Sequence, residues 1–205
     1  MKKLFILFTL LISTALFAES VYIKMETNRG DIFLELDPQK APLSVDNFVQ
    51  YAKDDYYSDT IFHRVISSFM IQGGGFTVDL ERKNTREPIQ NEAANGLKNI
   101  RGTIAMARTG APHSATSQFF INVKDNPALD YTGEENGRTW GYAVFGKVIQ
   151  GMEVVDEIRF TPTDASPPFR SDVPIKNMVI KSVQVLDGKP EVKVDTKVED
   201  NPVTK

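Results

Sequence analysis

Arg64 is the residue of this chain whose type and surroundings point most directly to chemistry. It lies in the stretch Phe62-His63-Arg64-Val65-Ile66-Ser67-Ser68-Phe69-Met70-Ile71-Gln72-Gly73-Gly74, among large apolar side chains on a strand-like segment. An arginine is rarely buried without a partner, and its planar fork of five donors stays charged at any working pH. A second stretch, Ser117-Gln118-Phe119-Phe120-Ile121-Asn122, again sets apolar residues beside amides. No acid, thiol or metal-binding cluster lies near either stretch in sequence. A fixed positive donor facing an apolar wall suits a reaction that transfers no proton and breaks no covalent bond. Taken alone, Arg64 could equally pair with a carboxylate and tie two strands together.

The other reactive residue types have bland readings. His63 and His113 are the only histidines, on separate segments with no supporting ligand pattern, so no metal site is expected. His63 follows strand alternation to the face opposite Arg64, where a packed imidazole is expected. Gly73-Gly74-Gly75 is not followed by Lys-Ser/Thr or by a helix, which excludes a phosphate loop. Ser114 and Ser117 lack the strand–turn–helix context of a hydrolase nucleophile. Glu134 and Glu135 read as solvated loop carboxylates, and Trp140 as a loop anchor.

The chain has 205 residues, no cysteine, and a formal charge of −3 from 24 basic and 27 acidic residues. That length is enough for one good-sized core. A mildly acidic chain with scattered lysines makes no electrostatic case for nucleic acid. Residues 1–18 read as a cleavable signal peptide. Lys2 and Lys3 form its basic start, and Leu4 to Phe17 an apolar run too short for a comfortable membrane span. Cleavage is expected after Ala18, with Ser20 the alternative, and an uncleaved anchor is the competing reading. Without Lys2 and Lys3, 22 basic residues face 27 acidic ones, a charge of −5. A leader with no lipobox cysteine and no disulfide chemistry fits a bacterial periplasm, with no stable membrane anchor after cleavage.

These residues need elements to position them. Val21 to Leu36 alternates apolar and polar on either side of Asn28-Arg29-Gly30-Asp31, which predicts two strands and a turn. Pro42 opens a helix with Val45, Phe48, Val49 and Ala52 on one face. Short strands are expected over Ile61–Ile66, Phe69–Gln72, Thr103–Ala107, Gln118–Val123, Ala143–Ile149 and Val179–Leu186. Met152–Ile158 reads as a second helix with Val154, Val155 and Ile158 inward. Phe76–Asn99 and Lys124–Tyr142 read as loops, the latter anchored by Leu129. Thr161–Pro174 reads as a proline-rich connection, and 188–205 as a flexible charged tail, with an extra edge strand the alternative. Many short strands, two helices and long loops predict a mainly β fold: a closed antiparallel barrel with helices covering its ends.

The ordered motifs FHRVISSFMIQGG, GTIAMAR (Gly102–Arg108), SQFFIN and GYAVFGKVIQGMEVVDEI (Gly141–Ile158) resemble the cyclophilin family of peptidyl-prolyl cis-trans isomerases. The loops QNEAANGL and INVKDNPALD, with the leader, are similar to its bacterial periplasmic branch. The resemblance covers Val21 to Leu186 and implies an eight-stranded closed barrel capped by two α-helices, filling a domain over 19–187. It implies Arg64 as the catalytic residue, acting by hydrogen bonding to the proline nitrogen in the twisted transition state. Phe69, Met70, Phe120 and Leu129 would wall the proline pocket, with Gln72 and Gln118 as its polar lining. Ala107, Arg108 and Thr109 would run beside the substrate backbone. Arg108 stands where eukaryotic members have asparagine, Tyr142 where they have a histidine, and Ala128 where many have the tryptophan that contacts cyclosporin, so weak cyclosporin binding is expected. No cofactor is implied. The expected partners are proline-containing stretches of unfolded or partly folded exported proteins, met by a monomer. The competing readings are a chaperone or assembly factor that holds such stretches with incidental catalysis, and a generic barrel with a small apolar ligand.

Overall fold

The computed structural model describes residues 19–191. The expected signal peptide, and all but the first four residues of the expected tail, lie outside the described residues. The elements run β1 (Val21–Thr27), β2 (Gly30–Leu36), α1 (Pro42–Lys53), β3 (Thr60–Ile61), β4 (Arg64–Ile66), β5 (Met70–Gly73), β6 (Thr103–Met106), β7 (Phe119–Asn122), β8 (Val144–Gln150), α2 (Met152–Arg159), β9 (Thr163–Ser166), β10 (Phe169–Pro174) and β11 (Val179–Leu186).

One antiparallel sheet has the order β3-β11-β1-β2-β8-β6-β7-β5-β4. Its two end strands are halves of a single segment, 60–66, interrupted only at Phe62 and His63. The first half pairs with β11 and the second with β5. Counted as one strand, 60–66 makes the order a ring of eight that returns to itself, which disposes of exposed sheet edges. Inward positions of β1 and β2 alternate as expected, with Ile23, Met25, Ile32, Leu34 and Leu36 fully buried. Phe48, Tyr51, Tyr57, Phe119 and Phe145 fill the interior, many of them ring against ring at about 5–6 Å.

α1 packs against β11 and buries Val45, Phe48, Tyr51 and Ala52. Its N-cap residue, Ala41, has no capping side chain. The Glu92 carboxylate takes that place from another segment, accepting the Leu43 and Ser44 amides at 2.9 and 2.8 Å. A carboxylate there satisfies otherwise unpaired N–H groups and suits the helix dipole. α2 covers β2, β4 and β5 with Val154, Val155 and Ile158 buried.

One expectation is corrected. Thr161–Pro174 is not a plain connection, because β9 and β10 within it form an antiparallel hairpin beside β4. Tertiary packing overrides its prolines: Phe169 lies 5.3 Å from the His63 ring and 5.0 Å from that of Phe76, and Val173 is buried.

Candidate active site

Register explains how the sequence builds the site. Arg64 is paired with Gln72, Gln72 with Phe120, and Phe120 with Ala105, so these four form one row across β4, β5, β7 and β6. Directly paired residues share a face. The next row, Val65-Ile71-Ile121-Ile104, points the other way into the barrel core. The Arg64 row therefore lies on the outside of the barrel. There Met70, Ala105 and Phe120 form a small apolar cluster joined by Phe69, Ala107, Leu129 and Tyr142.

A cavity of about 110 Å³ opens on this face. Its lining is Arg64, Phe69, Met70, Gln72, Ala107, Arg108, Phe120, Leu129 and Tyr142, all of them residues that the sequence proposes for the site. The two remaining candidates, Thr109 and Gln118, line an adjoining depression that shares Gln72, Ala107 and Arg108. Drug-sized ligands occupy roughly 300–1,000 Å³; this cavity suits a single small ring. A larger hollow of about 270 Å³ lies elsewhere, around Glu35, Lys98 and Lys147. It touches none of the Arg64 row, and Glu35 and Lys147 in it pair with each other at 3.3 Å.

The walls are held by buried polar groups. Asn126 donates to the Phe69 carbonyl at 2.9 Å and to Asn122 Oδ1 at 2.7 Å. Asn122 in turn donates to Asn99 Oδ1 at 3.2 Å and Thr103 Oγ1 at 2.9 Å. Asn99 donates to the Leu129 carbonyl at 3.1 Å. This chain of amides pins Phe69 and Leu129, which come from separate segments of the chain. Satisfied networks of this kind fix one geometry because breaking them strands buried polar atoms. The Arg108 guanidinium lies 4.4 Å over the Tyr142 ring, which meets Phe120 edge-on at 5.6 Å. Arg108 also donates to the carbonyls of Thr109, Gly137 and Gly141 at 2.6–2.9 Å. Its donors are thus largely committed to shaping the loop.

Gln72 donates to Gln118 Oε1 at 2.9 Å. Gln118 lies directly against Gly75, where an added Cβ would stand 2.5 Å from its Cγ. The glycine run thus makes room for the amide pair.

Arg64 lines the cavity and also stands 3.8 Å, through Nε, from Asp172 Oδ2. That separation is too long for a hydrogen bond, and the two side chains are 41% and 33% exposed. An exposed pair of this kind contributes roughly 0–1 kcal/mol. Arg64 is therefore neither buried nor locked to an acid, and its fork is available to the cavity. Neither Asp172 nor the lining residues Phe76, Arg82, Ser114, Thr116, Gly137 and Arg138 of the adjoining hollows carried a sequence signal. Asp172 reaches Arg64 only through the β9–β10 hairpin, whose pairing the prolines concealed.

His63 is buried between Phe76 and Phe169, with ring centroids at 4.6 and 5.3 Å, and its Nδ1 has no partner. Burial pushes its pKa down to about 4; a hydrogen bond involving the Ile61 backbone opposes this, and the Arg64 charge adds to it. It is a neutral packing residue. Among the described residues no three His, Cys, Asp or Glu side chains could hold a metal ion. The Arg64 cavity itself contains no carboxylate, thiol or imidazole.

An antiparallel barrel with two helices and, on its outer face, a cavity that sets an arginine and an amide beside apolar walls defines a class. The pattern for cyclophilin type peptidyl-prolyl cis-trans isomerase/CLD matches residues 22–185. The chain is 53% identical over 165 residues to peptidyl-prolyl cis-trans isomerase B of Escherichia coli, spanning 80% of this chain and 99% of that one. It is 53% identical over 167 residues to peptidyl-prolyl cis-trans isomerase A of Dickeya dadantii, spanning 82% and 85%. A cyclophilin type isomerase of Cryptosporidium parvum superposes with a TM-score of 0.66 at 30% identity, covering 83% of this chain and 99% of that one. The chain belongs to the cyclophilin-type peptidyl-prolyl cis-trans isomerases, and its activity is the isomerisation of peptidyl-prolyl bonds.

Proposed function

We propose that Arg64 is the catalytic residue and that it acts on the imide nitrogen only at the top of the rotational barrier. The planar X–Pro bond resists rotation by about 18–20 kcal/mol because resonance must be broken. In the planar state the proline nitrogen has no hydrogen and no free lone pair. In the twisted state its lone pair localises and accepts a hydrogen bond. A guanidinium beside that nitrogen therefore stabilises the transition state more than the ground state, which is the condition for raising turnover. Shortening tens of seconds to milliseconds requires about four decades, or roughly 5–6 kcal/mol. One preorganised donor supplies about 2.7–4 kcal/mol. Holding the ring and the flanking peptide in place accounts for the rest.

The single observation that carries this reading is the content of the cavity. It offers two cations and no acid–base pair, and Arg108 is occupied by carbonyls, which leaves Arg64. Phe69, Met70, Phe120 and Leu129 would grip the ring, burial of which contributes about 2 kcal/mol. Gln72, Gln118 and the 107–109 backbone would hold the residues around it. The decisive experiment is a protease-free exchange measurement on a proline peptide with wild type and Arg64→Ala. The variant is expected to lose about 10²-fold in kcat/KM, the lower end for loss of one such donor because the side chain is partly exposed. A folded variant of wild-type rate would falsify this role.

We further propose that the enzyme acts in the periplasm on exported, folding chains, as a monomer. Support comes from Lys2 and Lys3 before the apolar run over 4–17, and from a chain without cysteine. Fractionation and N-terminal sequencing check it: the mature chain should start at Glu19 or Val21 in the periplasmic fraction, and recovery of full-length protein in the cytosol would refute it.

A further inference from the structure

Three hollows join along the outer face of the barrel. The Arg64 cavity shares Gln72, Ala107 and Arg108 with one neighbour and Arg108, Leu129 and Tyr142 with the other, and the two neighbours share Arg108 and Thr109. Among the described residues, the charged ones lining this groove are Arg64, Arg82, Arg108 and Arg138, and no Asp or Glu lines any part of it. The sign is local, since the whole chain has more acidic than basic residues. The four arginines are not equivalent. Arg64 has Asp172 at 3.8 Å, and Arg108 is bound to carbonyls. Arg82 and Arg138 are exposed, one in each outer hollow, and among the described residues neither guanidinium has an ion-pair partner. Glu134 and Glu135 share a loop with Arg138 but do not line the groove.

We propose that this groove selects X–Pro bonds flanked by aspartate or glutamate, and that Arg82 and Arg138, one in each adjoining hollow, are specificity-determining residues that read those carboxylates. The proposal rests on the reading that the Arg64 cavity holds the proline. Proline in the Arg64 cavity leaves its flanking residues to lie in the adjoining hollows, each of which is lined by one of the two exposed forks. Guanidinium groups match carboxylates in geometry and charge, and a lysine in the same place meets like charge in hollows whose described lining holds no acid. Exposed pairs are individually weak, so the expected discrimination is modest: about tenfold between acid-flanked and lysine-flanked peptides for two pairs and two repulsions combined.

The test uses the full chain and three blocked peptides that share one X–Pro bond and carry Glu, Gln or Lys on both sides of it. Rates are read by exchange spectroscopy at about 20 mM and about 500 mM salt, between which the screening length falls from roughly 20 Å to roughly 4 Å. The expected order of kcat/KM is Glu over Gln over Lys, with a Glu-to-Lys ratio near tenfold in low salt that falls below about threefold in high salt. In Arg82→Glu/Arg138→Glu the ratio should flatten or invert. A ratio near one in low salt overturns the proposal, as does a ratio that survives the double charge reversal. The Gln peptide with Arg64→Ala reports separately on the catalytic role of the cavity, so normal Gln turnover with no charge preference sinks the selectivity alone.

Discussion

Gly75→Ala perturbs the site while leaving the fold nearly intact. An added Cβ at Gly75 would stand 2.5 Å from Gln118 Cγ, 2.7 Å from Nε2 and 2.8 Å from Cδ. Gly75 has no positive φ, so alanine fits its backbone and the whole conflict is with one side chain. Gln118 must leave its position and with it the 2.9 Å bond from Gln72. Displacing it costs about 0.5–1.5 kcal/mol of rotamer energy and about 0.5–1.5 kcal/mol for the bond, while alanine returns about 0.4–1 kcal/mol through the unfolded chain. The net loss is about 1 kcal/mol, or about 2–4 °C in Tm for a domain of this size. Activity should suffer more, by about tenfold in kcat/KM, because the groups proposed to hold the flanking peptide are misplaced. The neighbouring Gly74→Ala gives the opposite pattern. Gly74 has φ +79°, and a Cβ there meets Phe119 at 2.7 Å and Tyr57 at 2.9 Å inside the core, so stability should drop by about 2–5 kcal/mol. The assay is exchange spectroscopy beside thermal melts. The reasoning is refuted if Gly75→Ala keeps full activity, or if it lowers the rate equally in a Gln118→Ala background, where the obstructed side chain is gone.

Asn126→Ala strands Asn122 Oδ1 and takes one of two donors from the Phe69 carbonyl, which keeps the Val123 amide at 3.2 Å, so urea unfolding should show a loss of about 1–3 kcal/mol and peptide KM should rise as the Phe69 wall loosens; unchanged KM would mean that the network does not set the wall. His63 has a folded pKa of about 4 against 6.5 unfolded, so the unfolded chain binds a proton that the fold refuses. Its contribution is therefore neutral above about pH 6.5 and becomes destabilising as pH falls toward 4, by about 3 kcal/mol at the bottom of that window. Stability measured at about pH 4.5 and 7.5 should show this slope, and His63→Leu should flatten it. Turnover, by contrast, should change little between about pH 6 and 9, since a guanidinium keeps its charge there; a bell-shaped profile would point to a titrating group instead.

Much of this was legible because barrel strands advertise themselves by alternation. β1 and β2 follow a period of two over seven residues each, and α1 and α2 a clean helical stripe. The lining of the Arg64 cavity was also legible, but through ordered motifs and not through composition: nothing in Phe69, Leu129 or Tyr142 alone says that they meet. Contacts between distant segments were illegible. Glu92 capping α1, Asp172 approaching Arg64 and Arg138 entering the groove each come from irregular or proline-bearing stretches with no periodicity to read. The split of 60–66 into two strands was hidden for a related reason. Phe62 and His63 keep the apolar character of a continuous strand, while the backbone passes from pairing with β11 to pairing with β5.

The register that makes the core also makes the site. Sliding β4 by one residue against β5 would exchange Arg64 with Val65, driving a guanidinium into the interior beside Ile71 and Ile121 and exposing a valine. Burying that charge without a partner costs several kcal/mol, far more than the loose Asp172 pair returns. The hydrophobic alternation of β4, β5 and β7 therefore sets the height and direction of Arg64 without requiring any bond to it. A side chain with one long ion pair is thereby placed well enough for the role proposed for it. The same register explains why the row faces outward. A substrate that is itself a polypeptide cannot enter the side-chain-filled interior of such a barrel, whereas the outer row of Arg64, Gln72 and Phe120 would, in the proposed function, present donor, amide and ring wall to a proline segment laid across it.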